Sequence, residues 1–249
     1  MKARPLVFAG PIVVFMIWAI ASYVAGASHL LLPTPGMVIR DLWIAFTSGN
    51  IYPDILATLW RLIIGFSLGA VVGILGGAIL GFSMPLYKCF ELLLDFSRSL
   101  PVMCLFPLFL LLFGLGNKPK IATTVWTVAL VIAVNTIYGV RQAPRTRLLA
   151  AKTMGARGAR LLTKVIVPSA APTIIGGVRV GISLGLVVVI VTEMFTGTEA
   201  GLGKRIYDAG LIYNSARMYG AIIVAGTLGY LMNKLVVAAE TRVAHWAGA

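Results

Sequence analysis

The sequence predicts an all-α integral membrane protein with about six transmembrane helices, and three observations lead to this prediction. The 249 residues are 59% hydrophobic with a mean hydropathy of +0.95, which is too apolar for a soluble domain. The apolar residues fall into long stretches, each close to the ~20 residues that a helix needs to span a bilayer. These stretches do not alternate between apolar and polar residues, as residues 184–191 illustrate, so they fit helices rather than strands.

We predict spans at residues 6–27, 58–82, 99–115, 121–140, 173–196 and 219–239. The first span follows Lys2 and Arg4 and ends in small residues, a pattern that cleaved signal peptides share. Its apolar run exceeds the ~7–15 residues of a signal core, so we expect it to remain as a membrane anchor. The third span contains Pro101 and Pro107, which predicts a broken helix whose freed carbonyls are buried or line a wet cavity.

The segment 141–172 is the strongest topological signal. It contains no acid and seven basic residues, namely Arg141, Arg145, Arg147, Lys152, Arg157, Arg160 and Lys164. Because Lys and Arg concentrate in cytoplasmic loops, we place 83–98, 141–172 and both termini on the cytoplasmic side and 28–57, 116–120 and 197–218 outside. Within the segment, Pro144, Gly155 and Pro168 predict two short helices that join at Gly155 and stop at Pro168.

Glycine recurs at every fourth position in two predicted spans. The second span carries Gly65, Gly69, Gly73, Gly77 and Gly81, and the fifth carries Gly177, Gly181 and Gly185. In lipid, a ridge of small residues lets two helix backbones approach closely, so we expect tight helix packing along both ridges. A glycine-lined pore is the alternative.

Glu193 is the only acid between Asp95 and Glu199, and it lies near the end of the fifth span. Ionisable residues at membrane depth usually face the bundle interior or water and mark function. Arg179 lies ~14 residues earlier, about 21 Å along one helix, so we expect Arg61 to be the partner. A pair of Arg61 and Glu193 would brace an outer gate; the alternatives are a purely structural pair and a proton relay in an ion-coupled carrier.

For a translocation path we select the broken third span and the fifth span. The predicted lining residues are Met103, Phe106, Asn135, Ser183 and Glu193. The residues predicted for a gate or for helix packing are Arg61, Gly69, Gly73, Gly177 and Gly181. The sequence has no phosphate-binding Gly-x-x-x-x-Gly-Lys-Ser/Thr loop, no metal-ligand spacing and no nucleophile with a base, so we expect no catalytic site and no metal on this chain.

An ordered set of motifs resembles the permeases of binding-protein-dependent ABC importers. Leu149-Ala150-Ala151, Gly155-Ala156 and Ile166-Val167-Pro168 resemble their cytoplasmic loop motif, which reads Glu-Ala-Ala, three variable residues, Gly, and later Ile-x-Leu-Pro. The other matches, in order, are Leu31-Leu32-Pro33-Thr34-Pro35, Thr58-Leu59-Trp60-Arg61, Gly65-Phe66, Phe113-Gly114, Asn135-Thr136, Thr192-Glu193-Met194 and Gly201-Leu202-Gly203. Together they resemble the sulfonate, nitrate and taurine-type branch over residues 30–240.

The resemblance implies a type I ABC importer transmembrane domain, with residues 1–249 as a single permease domain in the cytoplasmic membrane. It also implies a homodimer, two cytoplasmic ATPase subunits that hold the ATP and Mg, and an extracytoplasmic binding protein, with no cofactor on this chain and no nucleic acid. The first short helix of 141–172 would be the coupling helix. The residues implied at the ATPase contact are Leu149, Ala150, Ala151, Gly155, Ala156, Arg157 and Pro168.

Leu149 departs from the family pattern, because most relatives have Glu there. The implied substrate is a small anion such as a sulfonate, taurine, nitrate or bicarbonate. The alternatives are a heterocyclic nutrient such as a thiamine precursor, an ion-coupled secondary carrier, and a membrane scaffold whose basic loop binds anionic lipid.

Overall fold

The computed structural model describes residues 6–24, 31–195 and 197–243, and the regular elements in these ranges are all helical. The first elements are α1 (Leu6–Val24), α2 (Pro35–Thr47), α3 (Tyr52–Phe82), α4 (Met84–Ser99), a 3₁₀ turn (Val102–Leu105) and α5 (Phe106–Phe113). They are followed by α6 (Asn117–Arg141), α7 (Arg145–Thr153), α8 (Gly158–Leu161), a π-helical turn (Leu162–Ile166), α9 (Val167–Glu193), α10 (Leu202–Leu211) and α11 (Ser215–Val243).

Four helical runs in the described ranges are long and apolar enough to cross a bilayer. They are α3, α6, Gly158–Glu193 and Ser215–Ala238. A fifth candidate is the bent pair of α4 and Val102–Phe113, whose two arms meet at 97°, and α1 adds a shorter apolar helix, Ala9–Val24. The chain is thus an all-helical membrane protein. The predicted span ends at 25–27 and 196 lie outside the described residues, as do Lys2 and Arg4.

Three helices lie in segments that we predicted as loops. The predicted outer segments 28–57 and 197–218 contain α2 and α10, and the predicted inner segment 83–98 is almost entirely α4. These helices contain both apolar and polar residues, so they form no continuous apolar stretch that would indicate a span. Local signals for α2 are nonetheless present, since the hydroxyl of Thr34 accepts a hydrogen bond from the backbone N–H of Met37 and Pro35 is its first residue.

The predicted helix stop at Pro168 is wrong. Helix continues through this residue, and Gly158–Glu193 forms one run of 36 residues. The π-helical turn lies just before Pro168, with the N–H of Val167 bonded to the carbonyl of Leu162, five residues earlier. The hydroxyl of Ser169 donates to the carbonyl of Val165 at 2.7 Å. We attribute the continuity to this wider turn, which accommodates the proline ring and its missing N–H.

The chain divides into two compact units, Met1–Thr58 with Glu199–Thr227, and Leu59–Thr198 with Leu228–Ala249. In the first unit, the start of α3 holds the start of α10. Asp54 accepts a hydrogen bond from the N–H of Gly201, and the buried hydroxyl of Thr58 accepts one from Leu202, both at 2.9 Å. Arg205 also pairs with Asp54 at 3.1 Å. These contacts satisfy N–H groups that a helix start leaves unpaired.

In the second unit, α3, α6 and α9 pack closely along the glycine ridges. A Cβ atom at Gly65, Gly69, Gly73, Gly77 or Gly81 would lie only 2.6–2.9 Å from the nearest atom of α6. On α9, a Cβ at Gly177 would lie 2.6 Å from the Cβ of Asn135, and the distances at Gly181 and Gly185 are 3.3 and 3.1 Å. Larger side chains would therefore separate these helices.

Candidate functional site

A group of polar side chains lies where α3, α6 and α9 meet in the second unit. We call Arg61, Asn117, Lys120 and Glu193 the polar cluster. One guanidinium N–H of Arg61 donates to the carboxylate of Glu193 at 2.5 Å, and its Nε donates to the side-chain carbonyl of Asn117 at 2.8 Å. Arg61 is 5% exposed and Glu193 is 1% exposed. The partner expected for Glu193 is thus the one that it contacts.

Lys120 joins two loops at the same place. Its ammonium group donates to the carbonyl of Gly116 at 2.7 Å, just before α6, and to the carbonyl of Gly197 at 3.2 Å, just after α9. The residue is 1% exposed. A buried ammonium needs such partners, because an unpaired charge away from water is very costly. Lys120 therefore ties the start of α6 to the chain that leaves α9.

The polar cluster contains two buried cations and one buried anion. Lys120 lies close enough to Arg61 and Glu193 to interact electrostatically with both. Removing one member of a buried ion pair leaves an uncompensated charge, which costs far more than the intact pair contributes. The geometry consequently fixes the relative positions of α3, α6 and α9 and leaves one positive charge in excess.

Aromatic packing adjoins the polar cluster. The rings of Phe106, at the start of α5, and Phe195, two residues after Glu193, are 4.9 Å apart. Phe106 is 1% exposed. The side chain of Leu115 lies where a Cβ at Gly197 would stand, at 2.9 Å. The second arm of the bent α4–α5 pair thus packs against the segment that follows α9.

The structure does not bring the five predicted lining residues together. The ring of Phe106 packs against that of Phe195, two residues after Glu193, and Met103 is half-buried in the 3₁₀ turn. Asn135 packs against Gly177 at the contact of α6 and α9, and its amide donates to the carbonyl of Val131 on its own helix.

Ser183 lies on an exposed stripe of α9. The other members of the stripe recur at helical spacing and are Gly176, Val180, Leu184 and Val187. The hydroxyl of Ser183 donates to the carbonyl of Arg179, one turn earlier. An apolar stripe that carries one hydroxyl fits a helix that faces another membrane helix or a path for solute.

At the other end of α9, the basic segment covers an apolar core. The buried residues of this core are Val140, Ala143, Ala151, Leu161, Ile166, Ala170 and Ile174. Helix α7 contributes Ala151 to the core and leaves its other face outside, where Leu149 is 63% exposed and Met154 just after it is 83% exposed. Ala150, Arg157 and Pro168 are exposed too, and Ala156 is half-buried.

Gly155 sets the direction of the chain after α7. Its φ of +82° lies in the left-handed region that glycine adopts without strain, and its N–H bonds to the carbonyl of Lys152. A Cβ at this position would have no atom within 4 Å, so the constraint is the backbone angle and not crowding. The helix end expected at Gly155 is present.

Two members of the polar cluster were missed by the sequence reasoning. The sequence gives Asn117 no evident role, and Lys120 falls in the predicted outer segment 116–120, whereas the structure buries its side chain. The signal available was weak: Lys120 stands one residue before a long apolar run and one turn after a Gly-Leu-Gly-Asn stretch. Lys204 and Arg205, in the predicted outer segment 197–218, pair with Asp208 and Asp54 respectively.

The described residues include no group of three His, Cys, Asp or Glu side chains that could hold a metal ion. Cys89 and Cys104 are both free and exposed. His29 and His245 lie outside the described residues.

Comparison with known proteins identifies the family. Residues 69–245 match the family of binding-protein-dependent transport system inner membrane components. The chain is 31% identical to a probable ABC transporter permease of Brucella melitensis over 217 residues, which cover 87% of this chain and 88% of the relative.

Two further relatives have more specific names. The putative aliphatic sulfonates transport permease protein SsuC of Bacillus subtilis is 28% identical, with 95% of this chain and 85% of the relative covered. The taurine transport system permease protein TauC of Escherichia coli is 25% identical, with 95% and 87% covered.

The fold agrees with this assignment. The chain matches a solved structure of the MetNI methionine ABC transporter in an inward-facing conformation, with a TM-score of 0.69, 21% identity and coverage of 76% of this chain and 94% of that chain. The resemblance to the sulfonate and taurine-type branch is therefore confirmed, and so is the type I importer fold. The chain belongs to the binding-protein-dependent transport system inner membrane components and is the permease subunit of an ABC importer.

Proposed function

We propose that this permease moves a small anion of the sulfonate or taurine type inward, using ATP that partner subunits hydrolyse. The observation that carries the proposal is the position of α9, whose first turns belong to the core under α7 and whose last residue is Glu193 in the polar cluster. The 26 steps between Val167 and Glu193 correspond to about 39 Å at 1.5 Å per residue. One helix can therefore transmit a displacement of the basic segment to the polar cluster.

The substrate class rests on the named relatives and on charge. Two permeases similar over 95% of this chain are named for aliphatic sulfonates and taurine. The excess positive charge of the polar cluster is compatible with an anion that passes nearby. Nitrate, bicarbonate and a heterocyclic nutrient are the alternative candidate substrates, and competition for uptake distinguishes between them and a sulfonate.

In this proposal α7 is the coupling helix and docks on a cytoplasmic ATPase subunit that holds ATP and Mg. Its exposed surface combines Leu149, Ala150 and Met154 with Arg157, and the buried Ala151 anchors the helix to the core below. Gly155 and Ala156 shape the exit from the helix. Leu149 gives this chain an apolar contact where most relatives place a carboxylate, so we expect the partner ATPase to offer an apolar surface there.

The translocation path would lie between two copies of the permease, along the exposed stripe of α9. Ser183 is the best placed of the predicted lining residues, because its hydroxyl is exposed on that stripe. Met103 would border the path near the bent pair. Phe106, expected as a lining residue, is buried against Phe195 and would support the wall from behind. Asn135 and the glycines would hold the helices together, the glycines being Gly69, Gly73, Gly177 and Gly181. The pair of Arg61 and Glu193 would brace the outer gate.

The proposed cycle follows from these positions. Closure of the ATPase pair would draw the two coupling helices together, tilt the packed α3, α6 and α9 as a body, and change the path from inward-open to outward-open. An extracytoplasmic binding protein would deliver the anion. This arrangement requires the basic segment and both termini on the cytoplasmic side, in line with the excess of Lys and Arg, and it treats residues 1–249 as one permease domain without a cofactor of its own.

Reconstitution tests the proposal. The permease would be placed in liposomes with its cognate ATPase and binding protein, and uptake of labelled taurine and of an alkanesulfonate would be measured with and without ATP. We expect ATP-dependent uptake that stops when the Walker lysine of the ATPase is replaced. Uptake that survives this replacement would contradict the importer mechanism. Competition by nitrate, bicarbonate or a thiamine precursor, without competition by sulfonates, would contradict the substrate class.

A further inference from the structure

We infer that a groove in the second unit binds one anionic phospholipid, with an acyl chain between the helices and the phosphate beside Arg98 and Arg141. The groove is a cavity of about 670 Å³ bounded by α3, α6 and both arms of the bent α4–α5 pair. Its walls include Leu68 and Val72 of α3, Leu93 of α4, Phe109 of α5, and Val125 and Trp126 of α6.

The walls of this groove fit a hydrocarbon chain and exclude a water-soluble solute. Apart from Ser97, Lys118 and the indole N–H of Trp126, the lining side chains are apolar or glycine. A sulfonate or another hydrated anion would lose most of its water there and find few donors to replace it. On α6 the groove extends from Lys118 to Ala133, about 22 Å at 1.5 Å per residue. Both α6 and α3, which forms another wall, are long and apolar enough to span a bilayer.

A polar pocket adjoins the apolar groove. This second cavity, of about 380 Å³, shares Leu94 with the groove and is lined by Tyr87, Asp95, Arg98, Tyr138 and Arg141 among others. Two cations and one carboxylate leave it with one positive charge in excess. A site with an apolar arm and a cationic end has the chemistry of an anionic lipid.

The two arginines can both donate to a phosphate. Arg98 pairs with Asp95 only at 3.4 Å, and both side chains are more than half exposed, so the pair is weak. The guanidinium of Arg141 lies 4.1 Å from the centre of the Tyr87 ring and donates to the sulfur of Met84. Because a guanidinium carries five N–H donors, these contacts leave donors for phosphate oxygens.

Fluorescence quenching by brominated phospholipids in bilayers tests the inference on the full-length chain. Trp126 lines the groove, and a variant in which Trp18, Trp43, Trp60 and Trp246 are replaced by Phe reports from this residue alone. We expect brominated phosphatidylglycerol, at low mole fraction in phosphatidylcholine, to quench Trp126 more strongly than brominated phosphatidylcholine does. Native mass spectrometry of the unsubstituted chain provides the same comparison if the variant fails to fold.

Two sets of variants test the cationic end and the apolar arm of the site separately. Arg98→Gln and Arg141→Gln should each lower the preference for phosphatidylglycerol by about five-fold, from roughly 1 kcal/mol per cation. Lys234→Gln is the matched control, since Lys234 also lies over a tyrosine ring, Tyr230, and should leave the preference unchanged. Gly76→Phe fills open space in the groove and should protect Trp126 from both lipids, whereas Gly226→Phe, also in open space, should not.

Several outcomes would overturn the inference. Equal quenching by the two lipids would contradict a headgroup site. So would a preference for phosphatidylglycerol that persists when both Arg98 and Arg141 are replaced. Competition by soluble glycerol phosphate would show that the polar pocket binds a free phosphate and not a lipid. A change of oligomeric state in Gly76→Phe would show that a second copy of the chain occupies the groove.

Discussion

Positive charge is in excess at both ends of α9, but in opposite settings. In the polar cluster, Arg61, Lys120 and Glu193 are almost completely buried, and each contacts a named partner. In the basic segment, all seven Lys and Arg side chains are exposed, while the residues that hold the segment in place are small or apolar. The comparison teaches that an excess of cations says little about a role until burial is known.

The energetic consequence of this difference is large. Losing one partner of a buried ion pair costs about 3–5 kcal/mol, because the other charge remains without compensation. Exposed charges contribute about 0–1 kcal/mol and are screened by salt. The polar cluster should therefore control stability, and the exposed charges of the basic segment should control partner contact with little effect on stability.

Glu193→Gln should have the largest effect. It leaves Arg61 and Lys120 as two neighbouring buried cations, so we expect a loss of about 3–5 kcal/mol in the free energy of unfolding. Arg61→Gln should cost less, since Lys120 still offsets Glu193. Unfolding in detergent would measure both, with the exposed Glu199→Gln as the matched control.

Transport by a variant with the two charges exchanged tests whether Arg61 and Glu193 act as a pair or independently. The double variant Arg61→Glu with Glu193→Arg should regain part of the uptake that each single change abolishes. If uptake by the double variant is no higher than uptake by the less active single variant, the two residues do not act as a pair. Equal stability of Glu193→Gln and Glu199→Gln would refute the importance of burial.

Gly77→Ala should have the next largest effect. Its new methyl group would lie 2.6 Å from the backbone carbonyl oxygen of Ala133, so we expect a cost of about 1–3 kcal/mol. The neighbouring Gly76→Ala is the control, because its methyl group meets nothing within 4 Å and alanine favours the helix by up to about 1 kcal/mol. Thermal unfolding of the two variants should shift in opposite directions, and equal shifts would contradict close packing of α3 on α6.

In the basic segment, Gly155→Val should weaken binding of the ATPase subunit. A β-branched residue at φ +82° is strained by about 1–2 kcal/mol, which should disturb the exit from α7. Gly155→Asn is the control, because asparagine tolerates this conformation. We expect co-purification of the ATPase subunit to fall with valine and to persist with asparagine; equal retention by both variants would argue against a role for this turn.

Arg157→Gln should have the smallest effect on the protein itself. This side chain is exposed, so the free energy of unfolding should stay within about 0.5 kcal/mol of the unsubstituted chain. Affinity for the ATPase should fall by about 1 kcal/mol or less, and the difference should shrink at high salt. Parallel measurement of Arg61→Gln, the same substitution in a buried position, gives the direct contrast; similar destabilisation by both would abolish the distinction.

Much of the fold could be predicted because its signals are local. Apolar length located α3, α6, α9 and α11, and the four-residue spacing of glycines indicated the ridges that pack against α6. Gly155 marked the end of α7 through its backbone preference. The mixed composition of α2, α4 and α10 concealed these helices from a search for apolar spans. The helix end predicted at Pro168 was wrong, because the π-helical turn just before it lets the helix continue.

The sequence by itself determined the membrane class, the helix-ending glycine, the close-packing ridges and the family, because each depends on residue type and spacing along the chain. The pairing of Arg61 with Glu193 could be expected from the sequence, but only the tertiary structure decided how deeply the charges are buried and that Lys120 and Asn117 join them. Arg61 meets Glu193 across 132 residues, and Lys120 meets the carbonyl of Gly197 across 77. Such contacts depend on how helices far apart in sequence pack, and the same packing leaves the apolar groove with its cationic end.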